Sequence, residues 1–327
     1  MKLPFEDINR PVLVKKESET SPRFGCNPDK RPIETYLQFG IVNIDKPKGP
    51  TSHQVSAYVQ QMMGISKSGH SGTLDPNVTG VLPVALSKAT KAVHALLVAG
   101  KEYVGIMHLH KDADEDLIRK TCSKFVGVID QLPPVRSAVK RRPRKRTVYY
   151  LDVLEVDGRD VLFRTGTEAG TYIRKLLHDI GKRMKTGAHM TELRRTKVGL
   201  FNESTLVTLQ DLQDAFWLWK NKKDDTLLRK AVQPMEAAVE HLPKIWIIDT
   251  TVDSMCHGAQ LKVPGISKLN ADIKSGNLVA VMTLKDELVA LARARLDARD
   301  IKKKFKGAAA KTERVLMEPG VYPRVEK

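Results

Sequence analysis

The sequence predicts a mixed α+β protein: a larger part in which helices flank a central mixed sheet, followed by a small β-barrel-like part. Three observations predict it. Apolar spacing switches repeatedly between the helical and the strand period over residues 36–242. At His241-Leu242-Pro243 the composition shifts to short strands, with Gly265 and Gly276 supplying turns. A chain of 327 residues is also long enough for more than one core. The organisation expected is an extended arm at 1–35, the larger part at 36–242, the β-rich part at 243–318 and a tail at 319–327.

The arm is polar and punctuated by Pro4, Pro11, Pro22, Pro28 and Pro32. It is expected to lie extended over the rest of the chain or to be partly disordered. Regular structure is expected from Gly40, with Ile41, Val42 and Ile44 in a short strand. After the Lys46–Pro50 turn, Thr51 or Ser52 caps a helix whose apolar face is Val55, Tyr58, Val59, Met62 and Met63. Residues 64–80 read as a Gly/Ser/Asp/Asn-rich loop, 81–86 as a buried strand, and Ala92 to Leu97 as a helix ended by Gly100. An alternating strand follows at 101–109, then a helix at 116–125 and strands near 147–156 and 160–166. A helix at 171–184 presents Ile173, Leu176, Leu177 and Ile180. Thr208-x-x-Asp211 is a capping-box pattern, and Pro234 suits the first position of a short helix. Strands are expected at 245–248, 278–284, 288–292 and 315–317.

Lys and Arg number 55 against 38 Asp and Glu, a formal charge of +17. A surplus of that size steers a protein toward polyanions, nucleic acid first among them. The remaining composition, 41% hydrophobic and 28% charged, fits an ordinary soluble globular chain. Cys26, Cys122 and Cys256 form no CxxC pair, so neither a disulfide framework nor a zinc ribbon is encoded, which fits a reducing cytoplasm. No apolar stretch is long enough to span a bilayer, and MKLPFEDINR does not read as a signal peptide. Neither GxxxxGK[ST] nor GxGxxG occurs.

The most informative segment is GHSGTLDPNVTG, residues 69–80, which sets one carboxylate, Asp75, in a glycine-rich loop beside an apolar strand. Asp-Pro alone is a common turn dipeptide, and the glycines lower that plain reading only modestly. On chemistry alone, a lone carboxylate in such a loop is a candidate nucleophile or proton carrier. His108 and His110 share a strand face without a third ligand nearby, so metal binding is not expected.

GHSGTLDPNVTGVLPVAL resembles the catalytic motif of the TruB family of pseudouridine synthases. NIDKPKGPTSHQV (43–55) resembles that family's first motif, AGTYIRKLLHDIG (169–181) its third and AHMTELRRTKVG (188–199) its fourth. The four lie in the family's order over roughly residues 36–235. HGAQLKVPGI (257–266) and SGNLVAVMTLKDELVALARARL (275–296) look like a PUA domain. With the arm, this points to the dyskerin branch, the H/ACA RNA-guided enzymes. The lack of long Lys/Glu-rich tails points to an archaeal, cytoplasmic member.

The resemblance implies that Asp75 is the catalytic aspartate, that Tyr103 stacks on the target uracil, and that Tyr172, Arg174 and Leu193 surround the uridine. It implies no metal and no organic cofactor. Arg174 does not share the apolar face of its helix and is free to pair with Asp75 across a cleft. His53 resembles a family residue near the RNA. The acid-free run Arg136, Lys140, Arg141, Arg142, Arg144, Lys145 and Arg146 follows Pro133-Pro134 and reads as a loop. It resembles the family's thumb loop over substrate RNA. Tyr103 and Leu193 could equally be core residues, and His53 a surface residue of a first helical turn. The implied partners are an H/ACA guide RNA, substrate rRNA or tRNA, and small accessory proteins, with no membrane. A stand-alone enzyme for the tRNA T-loop and a catalytically idle RNA scaffold are the alternatives.

Overall fold

The computed structural model describes residues 1–133, 140 and 142–324. The N-terminal arm carries strand β1 (Val12–Val14) and helix α1 (Ile33–Gln38). The larger part then runs β2 (Gly40–Lys46), α2 (Ser52–Met63), β3 (Ser68–His70), β4 (Thr79–Leu86), α3 (Val93–Val98) and β5 (Lys101–Leu109). It continues through α4 (Glu115–Ser123), β6 (Gly127–Gln131), β7 (Arg144–Asp157), β8 (Asp160–Thr167), α5 (Ile173–Met184) and β9 (Ala188–Val198). It ends with β10 (Phe201–Asn202), α6 (Leu209–Lys222), α7 (Thr226–Ala231) and β11 (Val232–Pro234). The last part holds β12 (Lys244–Ile247), α8 (Asp249–Cys256), β13 (Leu261–Lys262), β14 (Ile266–Asn270), β15 (Leu278–Met282), β16 (Leu288–Ala294), α9 (Ala298–Lys303) and β17 (Ala308–Val315).

The larger sheet has the order β11-β2-β4-β9-β5-β8-β7-β6. It is mixed because β9 runs parallel to β4 and antiparallel to β5. The parallel pairing is short and close. A Cβ on Gly80 would lie 2.2 Å from the Arg195 carbonyl oxygen, and the residue sits at φ +100°, so only glycine fits there. The second sheet has the order β1-β14-β12-β15-β16-β17-β13 and is also mixed, with β12 parallel to β15.

Local signals place several helix ends correctly. Thr51 caps α2 in a full capping box with Gln54, and Gly64 ends the helix in the left-handed conformation. Thr208 and Asp211 form the same device at α6.

The arm lies over the β-rich part, the first of the two expectations for it: β1 pairs antiparallel with β14, Arg10 meets Asp272 at 2.5 Å, and Thr20 donates to Asp249 at 3.0 Å. Other expectations need correction, the missing strand β1 first. Sequence period misses such a strand because its partner lies more than 250 residues away. Helix α1 begins before Gly40. The loop at 64–80 contains β3, and β4 starts at Thr79. Arg144, Lys145 and Arg146 belong to β7, not to a loop; pairing with β6 overrides their charge. Pro234 precedes a short 3-10 helix at Met235–Val239 and does not open it. Helices α8 and α9 come without a sequence signal, and the last strand is 308–315, not 315–317. Residues 319–324 are no free tail, because Tyr322 is buried and its hydroxyl donates to Glu287 at 2.6 Å.

The two sheets share a core. Ile41, Val81 and Leu96 cluster with Trp246, Met282, Leu288 and Leu316. A buried two-point ion pair crosses the same junction: Arg31 donates to both Glu236 oxygens at 2.9 and 2.8 Å, and Glu236 also accepts from the Leu288 backbone. Among the described residues no helix is long and apolar enough to cross a membrane.

Candidate active site

Asp75 lies in the loop between β3 and β4, and that loop is clamped along its length. Ser71 N donates to Pro83 O, and Ser52 Oγ accepts from Leu74 N at 2.8 Å. Gly49 N donates to Pro76 O. Lys46 is fully buried, and its ammonium donates to the carbonyls of Pro47, Pro76 and Val78 at 2.9, 3.0 and 2.8 Å. Burial, and then Arg195, hold Lys46 below the usual lysine range, while Asp75 opposes them. The motif's chain direction is therefore fixed from below by one cation and one hydroxyl.

Arg174 meets Asp75 from the first turn of α5: Nε lies 2.8 Å from Oδ2 and Nη2 lies 3.3 Å from Oδ1. This fork-on-carboxylate pairing fixes the plane of the carboxylate. The helix is turned so that Ile173, Leu176, Leu177 and Ile180 enter the core and Arg174 stays exposed, as the apolar spacing requires. Tyr172 is the N-cap residue of α5. Gln131, at the end of β6, holds it by accepting from its backbone N–H at 3.0 Å and donating to its carbonyl at 3.2 Å.

Tyr103 is 9% exposed on β5, and Leu193, 8% exposed, lies on the neighbouring β9. Both belong to one apolar cluster with Leu74, Val78, Ile173 and Leu177. That cluster forms an apolar wall beside the Asp75–Arg174 pair. His53 is the second residue of α2 and is exposed; its ring packs edge-on against His70 at 4.7 Å. His70 is pushed down to about 4 by burial, then by His53 and Arg195, and is neutral at pH 7.

The basic run divides. Arg136 and Arg141 lie outside the described residues. Lys140 and Arg142 are exposed and in no regular element, whereas Arg144, Lys145 and Arg146 occupy β7. A Cβ on Gly170 would stand 3.2 Å from the Arg146 guanidinium, so Arg146 lies over the turn leading into α5. His108 bonds Asp160 at 2.8 Å and His110 bonds His189 at 2.9 Å. Among the described residues no group of three or more His, Cys, Asp or Glu side chains could hold a metal ion.

Sequence reasoning misses Lys46, Ser52, His70, Gln131 and Arg195. Four of them stand inside or beside the motifs, but their partners are backbone atoms that only the folded loop supplies. Gln131 carries no such signal.

The fold is thus a mixed sheet joined to a smaller β-rich part, with one half-exposed carboxylate held by an arginine. Known domains match along the chain in order: the DKCLD (NUC011) domain at 2–56, the TruB family pseudouridylate synthase N-terminal domain at 60–116, the tRNA pseudouridylate synthase B C-terminal domain at 174–240 and the PUA domain at 243–316. The chain belongs to the TruB family of pseudouridine synthases. It is 58% identical over 321 residues to the probable tRNA pseudouridine synthase B of Pyrococcus abyssi, covering 98% of this chain and 96% of the relative. The Methanopyrus kandleri protein of the same description is 55% identical over 323 residues, covering 99% and 95%. Among solved structures, a Cbf5-Nop10-Gar1 complex contains a chain 57% identical with TM-score 0.95, covering 99% of both chains. An H/ACA RNP bound to a substrate RNA containing 2'-deoxyuridine contains one 54% identical with TM-score 0.92, again over 99% of both.

Proposed function

We propose that this pseudouridine synthase is the catalytic subunit of a guide-RNA H/ACA ribonucleoprotein in an archaeal cytoplasm. Its substrate is a uridine in rRNA, and its partners are the guide RNA and small accessory proteins. The observation that carries this reading is the near-complete likeness to chains solved with Nop10, Gar1 and substrate RNA, at TM-scores of 0.95 and 0.92. A second reading, direct action on tRNA, is favoured by the descriptions of the curated relatives. The division of labour proposed is catalysis in residues 36–242 and RNA binding in 243–318, with the arm at 1–35 joining them.

The isomerisation breaks the N1–C1′ bond of uridine, turns the uracil, and joins C1′ to C5; the C5 proton leaves and N1 gains one. Uridine must first leave its helix to reach Asp75. The Asp75 carboxylate faces the sugar as the glycosidic bond breaks, either opposing its positive charge or bonding to C1′ and leaving again as C5 attacks, and then accepts the proton that C5 loses. Arg174 holds that carboxylate in plane. Tyr103 stacks on the detached base, Leu193 closes the apolar side, and Tyr172 borders the uridine. His53, Lys140, Arg142, Arg144, Lys145, Arg146 and, outside the described residues, Arg136 and Arg141 contact phosphates. Such contacts are sequence-blind, and base pairing to the guide selects the target.

The test is to assay the full chain on an rRNA fragment and on a tRNA transcript, with and without a matched guide RNA and the accessory proteins. Guide-dependent pseudouridine in the rRNA fragment supports the first reading. Turnover on tRNA alone, unaffected by guide, replaces it with the second.

A further inference from the structure

We propose that Arg195 is a positioning residue for this reaction: one buried guanidinium fixes the Asp75 loop against Tyr103. The inference rests on the reading of Asp75 and Tyr103 as reacting and stacking groups. Arg195 occupies β9, between β4, which follows the Asp75 loop, and β5, which carries Tyr103. On one side its backbone pairs with Gly80, just past the Asp75 loop; on the other its register partner is Tyr103, where the β5–β9 register shifts and β9 carries the extra residue Thr196. Its side chain is 1% exposed. Nε donates to the Val81 carbonyl at 2.8 Å, and Nη2 donates to the Gly72 carbonyl at 3.2 Å. Those two acceptors bracket Asp75 on either side. The third neighbour is Tyr103, its register partner, whose side chain stands on the same face of the sheet. Loop start, loop end and aromatic platform thus meet at one planar group.

A plain packing role does not account for this arrangement. Among the described residues the guanidinium has no carboxylate partner; its acceptors are the Val81 and Gly72 carbonyls. A buried charge without a counter-charge is unfavourable, so a fold seeking stability alone would place an apolar residue there. A lysine could supply the charge but not a fork reaching separate acceptors in one plane. The charge is also felt nearby, lowering Lys46, His70 and Lys101 after burial has done so. His70, pushed down to about 4, stays neutral across the neutral range.

The test uses the full chain assembled with guide RNA and accessory proteins, on guide-matched RNA carrying tritium at C5 of the target uridine. Tritium release reports the reaction because the C5 hydrogen leaves. Arg195→Lys is expected to lower kcat by about tenfold to a hundredfold, the scale of a misplacement near 1 Å. KM and RNA affinity should stay within about twofold. In a Tyr103→Ala background the same substitution should cost at least about threefold less, because the ring against which the loop is positioned is already gone. Arg195→Gln, which keeps a donor pair, should recover part of the loss and decides the matter if the lysine variant does not fold. Equal cost in both backgrounds, or raised KM with unchanged kcat, overturns the positioning role. If the unsubstituted assembly releases no tritium, or if Asp75→Asn still releases it, the proposed function fails instead.

Discussion

Asp75 and Arg174 meet at two points, yet their side chains remain 45% and 53% exposed. An ion pair so wet is worth at most about 1 kcal/mol, so its use is orientation rather than stability. Asp75→Asn should therefore abolish pseudouridine formation while changing stability by no more than about 0.5 kcal/mol and leaving RNA affinity nearly intact. Melting, filter binding and turnover measured on one preparation check this, and residual turnover near wild type removes Asp75 from its role. Tyr103 separates ring from hydroxyl. Tyr103→Ala should slow turnover more than Tyr103→Phe, because base stacking is worth about 1–3 kcal/mol and needs only the ring. Phe as damaging as Ala would give the hydroxyl a chemical part. At this scale the side chains proposed to carry the chemistry are legible in the sequence: Asp75 and Arg174 stand inside long motifs, and Tyr103 on an alternating strand. The supporting side chains are not. Lys46 and Arg195 look like ordinary members of a basic chain until the carbonyls they bind are seen.

Between β3 and β4 the chain follows a path that no hydrophobic period describes. What fixes it is donors aimed at carbonyls, above all the Lys46 ammonium on Pro47, Pro76 and Val78. Lys46→Met removes these donors and leaves buried acceptors unsatisfied, so it should destabilise by about 2–3 kcal/mol and reduce turnover together with stability. Thermal denaturation beside turnover is the check; a variant that melts like wild type would mean the loop is held by Ser52 and Arg195 alone. The helices α2, α5 and α6 are legible because caps and apolar spacing are local. Strand β1 is not, because it has meaning only beside β14, and Arg144–Arg146 read wrongly as loop because a cross-strand partner outweighs their charge. Helices α8 and α9 are short and their spacing is too brief to register, so packing rather than period defines them.

Across the whole molecule, the arm and both sheets fold as one interlocked body, which bears on how it responds to acid and how its RNA-binding part can be probed. His241 sits at the junction, 7% exposed and packed on Phe5, and burial pushes it down to about 4. Its unfolded value is near 6.5, so the unfolded chain binds the extra proton between pH 6.5 and 4. Stability is full above 6.5 and is lost as the pH falls toward 4, by about 3 kcal/mol from this group. His241→Leu should flatten that part of the Tm-against-pH curve, and an unchanged acid slope would assign the loss elsewhere. The shared core also means that removing residues 243–327 would strip Trp246, Met282 and Leu288 from Ile41 and Val81, and β14 from the arm's β1. A deletion would confuse weakened binding with failed folding. Surface charge offers a cleaner probe. Lys302, Lys303, Lys304 and Lys306 are exposed around the end of α9, beside the 90% exposed Phe305. The arm engages this segment through Lys15, which donates to the Lys302 and Lys304 carbonyls and stands over the Phe305 ring. Changing these four lysines to glutamine leaves the packing of the core in place. If the β-rich part anchors the guide, the variant should bind guide RNA more weakly, and the slope of log affinity against log salt should fall by about 0.7–0.9 for each phosphate no longer neutralised. At saturating RNA its kcat should match wild type, because the residues proposed for bond rearrangement lie in the Asp75 loop, β5 and α5. Affinity and salt slope both unchanged would move the guide's anchor off this face.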